Sequence, residues 1–400
     1  MKLVIGLAVS ALLACAAAQQ TEWGQCGGIG WSGATTCVSG QIAECTFHRS
    51  TVCTKLNDYY FQCLPGTPST SATSFSLSSI PPAQPTSPPS SVKANYWFSF
   101  GDSYTQTGFD VDGTLPAVGN PLGNPPFPGY TAVGGTNWID QMTVKYNNSL
   151  VLTYNYAYGG ATIDASLVQP YEPTVLSMTD QVNQFLSGVA SKPATAPWTS
   201  ANSLFSFWIG INDIGNSYYQ SGSRDAFSDT LLDAYFALVE KLVSYSLIRS
   251  HPYAHFANFL AVSIPRVLSA FPLPMCSPLS NVGARNFLFI NVPPIDRSPL
   301  MLSQGAAAQS LEASVIAGYN AKLAQRAQWL QGNNTGVQTW LWDSNAAFTT
   351  VLNNPTAYGF VDNTSYGSTG DFWGNNYHPS SAAQEIWAQG VAKVLANTVW

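Results

Sequence analysis

Short apolar or aromatic runs of strand length recur at 96–100, 150–154, 204–209, 286–292 and 338–342, most of them followed closely by Gly, Asn or Asp. Runs of this length bounded by turn formers predict five strands. Between them the apolar positions switch to helical spacing. The clearest stretch is 228–249, where Leu231, Leu232, Tyr235, Phe236, Val239, Leu242 and Val243 form one face, and 310–330 and 380–399 also read as helices. Strands alternating with helices predict a parallel sheet between two helix layers, a three-layer α/β/α sandwich with active groups at the carboxyl ends of its strands.

The region before residue 93 has a different pattern. Met1-Lys2 is followed by an apolar run to Ala18, with small residues at Ala16 and Ala18 before the polar Gln19-Gln20. This order of charge, apolar core and small-residue site predicts a signal peptide over 1–18, and so a secreted, extracellular chain starting at Gln19. The sequons at Asn147, Asn333 and Asn363 fit passage through a glycosylating compartment. Residues 19–64 are rich in Cys, Gly and aromatics, and residues 65–92 are mostly Pro, Ser, Thr, Ala and Gln. The second segment has too few large apolar residues to fold, which makes it a tether able to reach up to roughly 90 Å at about 3.1 Å per residue. Residues 93–400 form the large domain.

Composition narrows the partners. Only 9% of the 400 residues are charged, with a net charge of -6, so there is no positive field for nucleic acid. After the leader no apolar stretch is long enough for a membrane span. Removing the leader leaves Cys26, Cys37, Cys45, Cys53, Cys63 and Cys276, five of them crowded into the small segment. In an oxidising compartment that crowding reads as a disulfide framework, and the spacing suits no common zinc site.

Trp23-Gly-Gln-Cys-Gly-Gly-Ile-Gly-Trp-Ser-Gly, together with the later Leu56-Asn-Asp-Tyr-Tyr-Phe-Gln-Cys-Leu64, resembles the fungal-type cellulose-binding domain, a small disulfide-stapled β-type wedge. The resemblance implies a flat face of Trp23, Tyr59 and Tyr60 with Asn57 and Gln62, where rings stack on sugars and amides bond hydroxyls. It also implies the pairs Cys26–Cys53 and Cys37–Cys63. One departure is an interval of about ten additional residues, 41–50, carrying Cys45, which is either a genuine insertion or a misread gene boundary. Cys45 is then free or bridged to Cys276.

Neither G-x-S-x-G, H-E-x-x-H nor a nucleotide-binding loop motif occurs in the large domain. Directly after the first predicted strand stands Phe100-Gly101-Asp102-Ser103-Tyr104. Asn155-Tyr-Ala-Tyr-Gly159-Gly160-Ala161-Thr162 follows the second, Gly210-Ile-Asn212-Asp213 the third, and Asn376-Tyr-His378-Pro379-Ser380 precedes the last helix. In this order the four motifs resemble the GDSL or SGNH hydrolase superfamily, and in detail its secreted acetyl esterases. The resemblance implies Ser103 as nucleophile, His378 as its base, and Gly160 and Asn212 as oxyanion donors beside the Ser103 N–H. The family places an Asp three residues before its His, where this chain has Asn375. Asn375 or a backbone carbonyl is the expected third member, and Asp371, seven residues before His378, is the nearest carboxylate that could take its place instead.

The implied function is a cofactor-free, metal-free, monomeric esterase that removes acetyl or other short acyl groups from hemicellulose saccharides while its small module holds a cellulose surface. A catalytically silent carbohydrate-binding protein, or a lipase or thioesterase on the same fold, are the alternatives.

Overall fold

The computed structural model describes residues 19–20, 24–29, 31, 33–38, 51–56, 58, 60–65, 93–243 and 282–400. Outside the described residues lie the expected leader, Trp23, Asn57, Tyr59, Cys45 with the 41–50 interval, most of the tether, Cys276, and the 244–249 end of the predicted fourth helix. The chain divides into two compact units, one of Met1–Lys93 with Ala117–Pro121 and the other of Ala94–Pro116 with Leu122–Trp400.

The small unit is a three-stranded antiparallel sheet of β1 (Gln25–Gly27), β2 (Thr51–Lys55) and β3 (Phe61–Pro65), with β3 in the centre. Disulfides join Cys26 to Cys53 and Cys37 to Cys63, the pairing implied by the motif. So small a unit buries little apolar area, and cross-links of this kind supply stability that a core cannot. Two members of the expected sugar face require correction. Gln62 lies on the central strand and is 1% exposed, and Tyr60, whose hydroxyl bonds the Gln62 side chain, is 4% exposed. Neither is open to solvent in this structure.

In the large unit, β4 (Asn95–Gly101), β5 (Val151–Asn155), β6 (Ser203–Trp208), β7 (Asn286–Ile290) and β8 (Gln338–Trp342) form a parallel sheet in the order β5-β4-β6-β7-β8. All five match the predicted runs within two residues at either end. Along β4, β5 and β6 every residue is buried, which explains their continuous apolar character: helices cover both faces. The outer strand β8 is partly exposed, as an edge is.

The helices are α1 (Trp138–Val144), α2 (Met178–Ser187), α3 (Ile211–Gly215), α4 (Arg224–Val243), α5 (Pro299–Leu302), α6 (Ala306–Asn333), α7 (Ser344–Asn353) and α8 (Ser381–Val394). α6 contains the predicted 310–330, and the described part of α4 carries the expected apolar face. α8 ends earlier than 399. The Thr398 hydroxyl and N–H both turn back to the Leu395 carbonyl, and the Asn148 amide donates to the carbonyls of Leu395, Thr398 and Trp400 at 3.2, 3.2 and 2.9 Å. These bonds satisfy the last carbonyls outside a helix.

β4 is first in sequence but second in the sheet, with β5 on one side and β6 on the other. The chain therefore reverses its direction of winding at the carboxyl end of β4, the place where open α/β sheets form a crevice. Ser103 lies two residues beyond that end.

Candidate active site

The turn after β4 is possible because Gly101 has no side chain: a Cβ there would sit 2.4 Å from the Trp208 carbonyl oxygen of β6. The Gln181 side chain of α2 fixes the same peptide from the other side, accepting from Gly101 N–H at 2.9 Å and donating to its carbonyl at 2.8 Å. Asp102, fully buried, caps the turn by accepting from the Tyr104 N–H at 3.0 Å, and its own carbonyl accepts from Thr105 and Gln106. Ser103 is left projecting from a rigid corner.

The Ser103 hydroxyl donates to His378 Nε2 at 2.7 Å. On the far side of the ring, His378 Nδ1–H donates to Asn375 Oδ1 at 3.0 Å. The orientation of that amide is set by its other bonds. Oδ1 also accepts from the backbone N–H groups of Tyr377 and His378 at 2.9 and 2.8 Å, while Nδ2 donates to the Ala132 carbonyl at 3.2 Å. An oxygen facing Nδ1 fixes the tautomer in which Nε2 is free to take the serine proton. The Tyr104 hydroxyl, donating to the Tyr377 carbonyl at 2.6 Å, ties the His378 loop to the Ser103 turn.

Asp371 is elsewhere. Its carboxylate accepts from the Ser368 N–H at 2.9 Å in a local turn and makes no hydrogen bond to His378. Of the expected alternatives for the third member, Asn375 is the group the structure places on the imidazole.

Gly160 has φ +81, a left-handed backbone that favours glycine. Neither its N–H nor that of Ser103 is taken up by an acceptor among the described residues. Asn212 lies in the first turn of α3, and its Nδ2 donates one hydrogen to the Ala161 carbonyl at 2.9 Å, while the other has no acceptor among the described residues. The next residue, Asp213, clamps the same loop: its two carboxylate oxygens accept from the Ile163 N–H at 3.1 and 3.2 Å. The sequence motif contained Asp213 but gave it no role. The bond is between groups fifty residues apart, which spacing alone does not reveal.

Burial governs the electrostatics. It pulls the His378 pKa down to about 4, and the neutral Asn375 supplies no charge to bring it back. Burial raises Asp102 to about 8, with Asp213 adding to the effect, and raises Asp213 to about 7. On α6, Glu312 is fully buried and raised to about 8 by burial and then by Asp296. Carboxyls whose folded pKa exceeds the unfolded value bind extra protons when folded, so their stabilising contribution is full below about pH 4 and is lost as pH rises through 7–8. The lowered His378 works in the opposite sense, losing stability as pH falls from about 6.5 through 4. Asp140, fully buried and likewise raised well above the usual carboxylate range by burial, adds to them, and together the carboxyls outweigh the one imidazole. The melting temperature is expected to be higher at pH 5 than at pH 8 by about 5 °C or more, measured by differential scanning calorimetry; a melting temperature that rises with pH over that range contradicts this.

Residues 98–391 match the GDSL-like lipase/acylhydrolase family. The chain belongs to that family. An acetylesterase of Thermothelomyces thermophilus is 39% identical over 304 residues, which is 75% of this chain and 88% of that protein. Residues 22–60 match the fungal cellulose binding domain. A 4-O-methyl-glucuronoyl methylesterase of Phanerochaete chrysosporium is 66% identical over 53 residues, but these are 13% of this chain and 9% of that protein. Among solved structures, a lipolytic G-D-S-L protein of Veillonella parvula and an acetylxylan esterase of Geobacillus stearothermophilus each match 75% of the chain. Their identities are 12% and 15%, they are covered to 98% and 94%, and the TM-scores are 0.37 and 0.38. Membership makes the large unit a GDSL-type hydrolase domain, and its three-layer parallel fold agrees with the sequence expectation.

Proposed function

We propose that this GDSL-family protein is a secreted serine esterase that removes acetyl groups from hemicellulose-derived saccharides while its small module holds a cellulose surface. The observation that carries this reading is the Ser103–His378–Asn375 relay, together with the N–H groups of Ser103 and Gly160 and one Asn212 amide hydrogen that have no acceptor among the described residues. Ser103 attacks the acyl carbon as His378 Nε2 takes its proton, and the imidazolium then gives that proton to the leaving sugar hydroxyl. Water, activated by the same nitrogen, releases acetate from Ser103. The negative oxygen formed in both steps meets the N–H groups of Ser103 and Gly160 and the free amide hydrogen of Asn212.

The acetyl preference is supported by the acetylesterase relative, and the cellulose anchor by the match over 22–60. Among the described residues no helix is long and apolar enough to cross a membrane. All three sequon asparagines donate their side-chain amides to backbone carbonyls, but Asn333 is exposed whereas Asn147 and Asn363 are half-buried, so Asn333 is the most accessible acceptor.

The deciding experiment is acetate release from acetylated xylo-oligosaccharides, run beside nitrophenyl esters of increasing chain length. The proposal expects release from the saccharide and activity falling steeply beyond two carbons. No release, or a preference for long chains, refutes it. Within this mechanism Asn212→Ala removes one oxyanion donor and is expected to lower kcat by about 10²-fold with a smaller change in KM; an unchanged kcat removes Asn212 from the hole.

A further inference from the structure

Tyr171 is 72% exposed, and among the described residues it has neither a ring partner nor a hydrogen-bond partner. Core packing therefore does not explain it. Its position is nonetheless specific. The ring lies directly over Gly160: a Cβ on that glycine would fall 2.3 Å from Tyr171 Cε1 and 2.6 Å from Cδ1. The oxyanion glycine thus needs to be glycine twice over, for its φ of +81 and for the ring above it.

The loop that carries Tyr171 is anchored to the same elements as the oxyanion donors. The Thr162 hydroxyl donates to the Val168 carbonyl at 2.9 Å, and Asn216, which caps α3 four residues after Asn212, donates to the Gln169 carbonyl at 3.4 Å. Pro170 and Pro173 flank the tyrosine and restrict the backbone on both sides. The backbone that carries the exposed ring is thereby held in place before any substrate arrives, so the loop has little ordering entropy left to lose on contact.

A substrate carbonyl oxygen has to come within about 3 Å of the Gly160 N–H for the hole to act. Whatever is attached to the ester then passes within reach of a ring that touches Gly160. We propose that Tyr171 is a specificity-determining residue whose exposed face stacks on the sugar ring bearing the ester. This rests on the functional reading above and extends it from the ester bond to the saccharide. The C–H face of a pyranose matches an aromatic face by shape and polarity, and an uncharged ring suits an uncharged ligand.

The test compares wild type, Tyr171→Ala and Tyr171→Phe on two substrates, an acetylated xylo-oligosaccharide and vinyl acetate, whose leaving group is too small to stack. The expected result is that Tyr171→Ala loses about tenfold in kcat/KM on the saccharide, mainly through KM, and stays within about twofold on vinyl acetate. Tyr171→Phe keeps both activities, since the ring and not the hydroxyl makes the contact. Equal losses on both substrates would show a ring that merely props Gly160, and no loss on either would show an idle one. A widened acyl range with unchanged saccharide turnover would show the wall of an acyl pocket. Each overturns the inference while leaving the esterase assignment intact. Wild-type protein that cleaves vinyl acetate but releases nothing from the saccharide overturns the functional reading, and this inference with it.

Discussion

Ser103→Ala and His378→Ala are each expected to lower kcat for acetate release by about 10⁴- to 10⁶-fold, and the double variant to lose no more than either single one. The two side chains act as a unit, because a hydroxyl without its base is a poor nucleophile and a base without its hydroxyl has nothing to activate. Ser103 makes its side-chain hydrogen bond to His378 alone, so alanine there leaves the turn held by Gln181, Asp102 and Tyr104. The residual rate then measures the three oxyanion donors and binding by themselves. Steady-state kinetics with a melting curve for each variant checks this, and a single variant that folds normally yet keeps more than about a hundredth of wild-type kcat would exclude the relay.

Much of this site is readable in the sequence because β4 to β7 are buried on both faces. Continuous apolar runs mark β4 to β7, and turn residues after them mark the ends where Ser103, Gly160 and Asn212 stand. The short helices α1 and α2 are harder to see in a long irregular stretch. Their signals are local: Asn137 with Asp140, and Ser177 with Asp180, form capping boxes at the two starts. What the sequence leaves open is decided by loop geometry. Asn375 and Asp371 are close in the chain, and only the folding of the His378 loop, tied to Tyr104 and Ala132, determines which one meets the ring. Tyr171 carries no motif and comes to Gly160 through bonds from Thr162 and Asn216. The exposure of Tyr60 and Gln62 is likewise not legible in the motif, which gives residue types and not what lies against them.

Asn375→Ala is expected to lower kcat by about 10³-fold or more, because it removes the acceptor that fixes the His378 tautomer and also two backbone bonds that shape the loop. Asp371→Ala, which leaves the imidazole untouched, is expected to stay within about threefold of wild type. The more informative substitution is Asn375→Asp. A carboxylate 3.0 Å from Nδ1 favours the imidazolium and raises the His378 pKa from about 4 by about 1–3 units. The acid limb of kcat/KM moves up in pH by the same amount. There is also a cost in stability, since the new oxygen replaces Nδ2 against the Ala132 carbonyl at 3.2 Å and sets two acceptors face to face. Burial, with no charge on Asn375 to counter it, thus keeps the base unprotonated down to about pH 4, and the neutral amide gives up the full charge that would stabilise the imidazolium in the transition state. Stability in mild acid, from the buried Asp102, Asp213 and Glu312, extends over the same range in which the base remains neutral. pH–rate profiles of the wild type and the two Asn375 variants decide the matter. An acid limb that stays in place in Asn375→Asp, or a thousandfold loss in Asp371→Ala, transfers the role to another group.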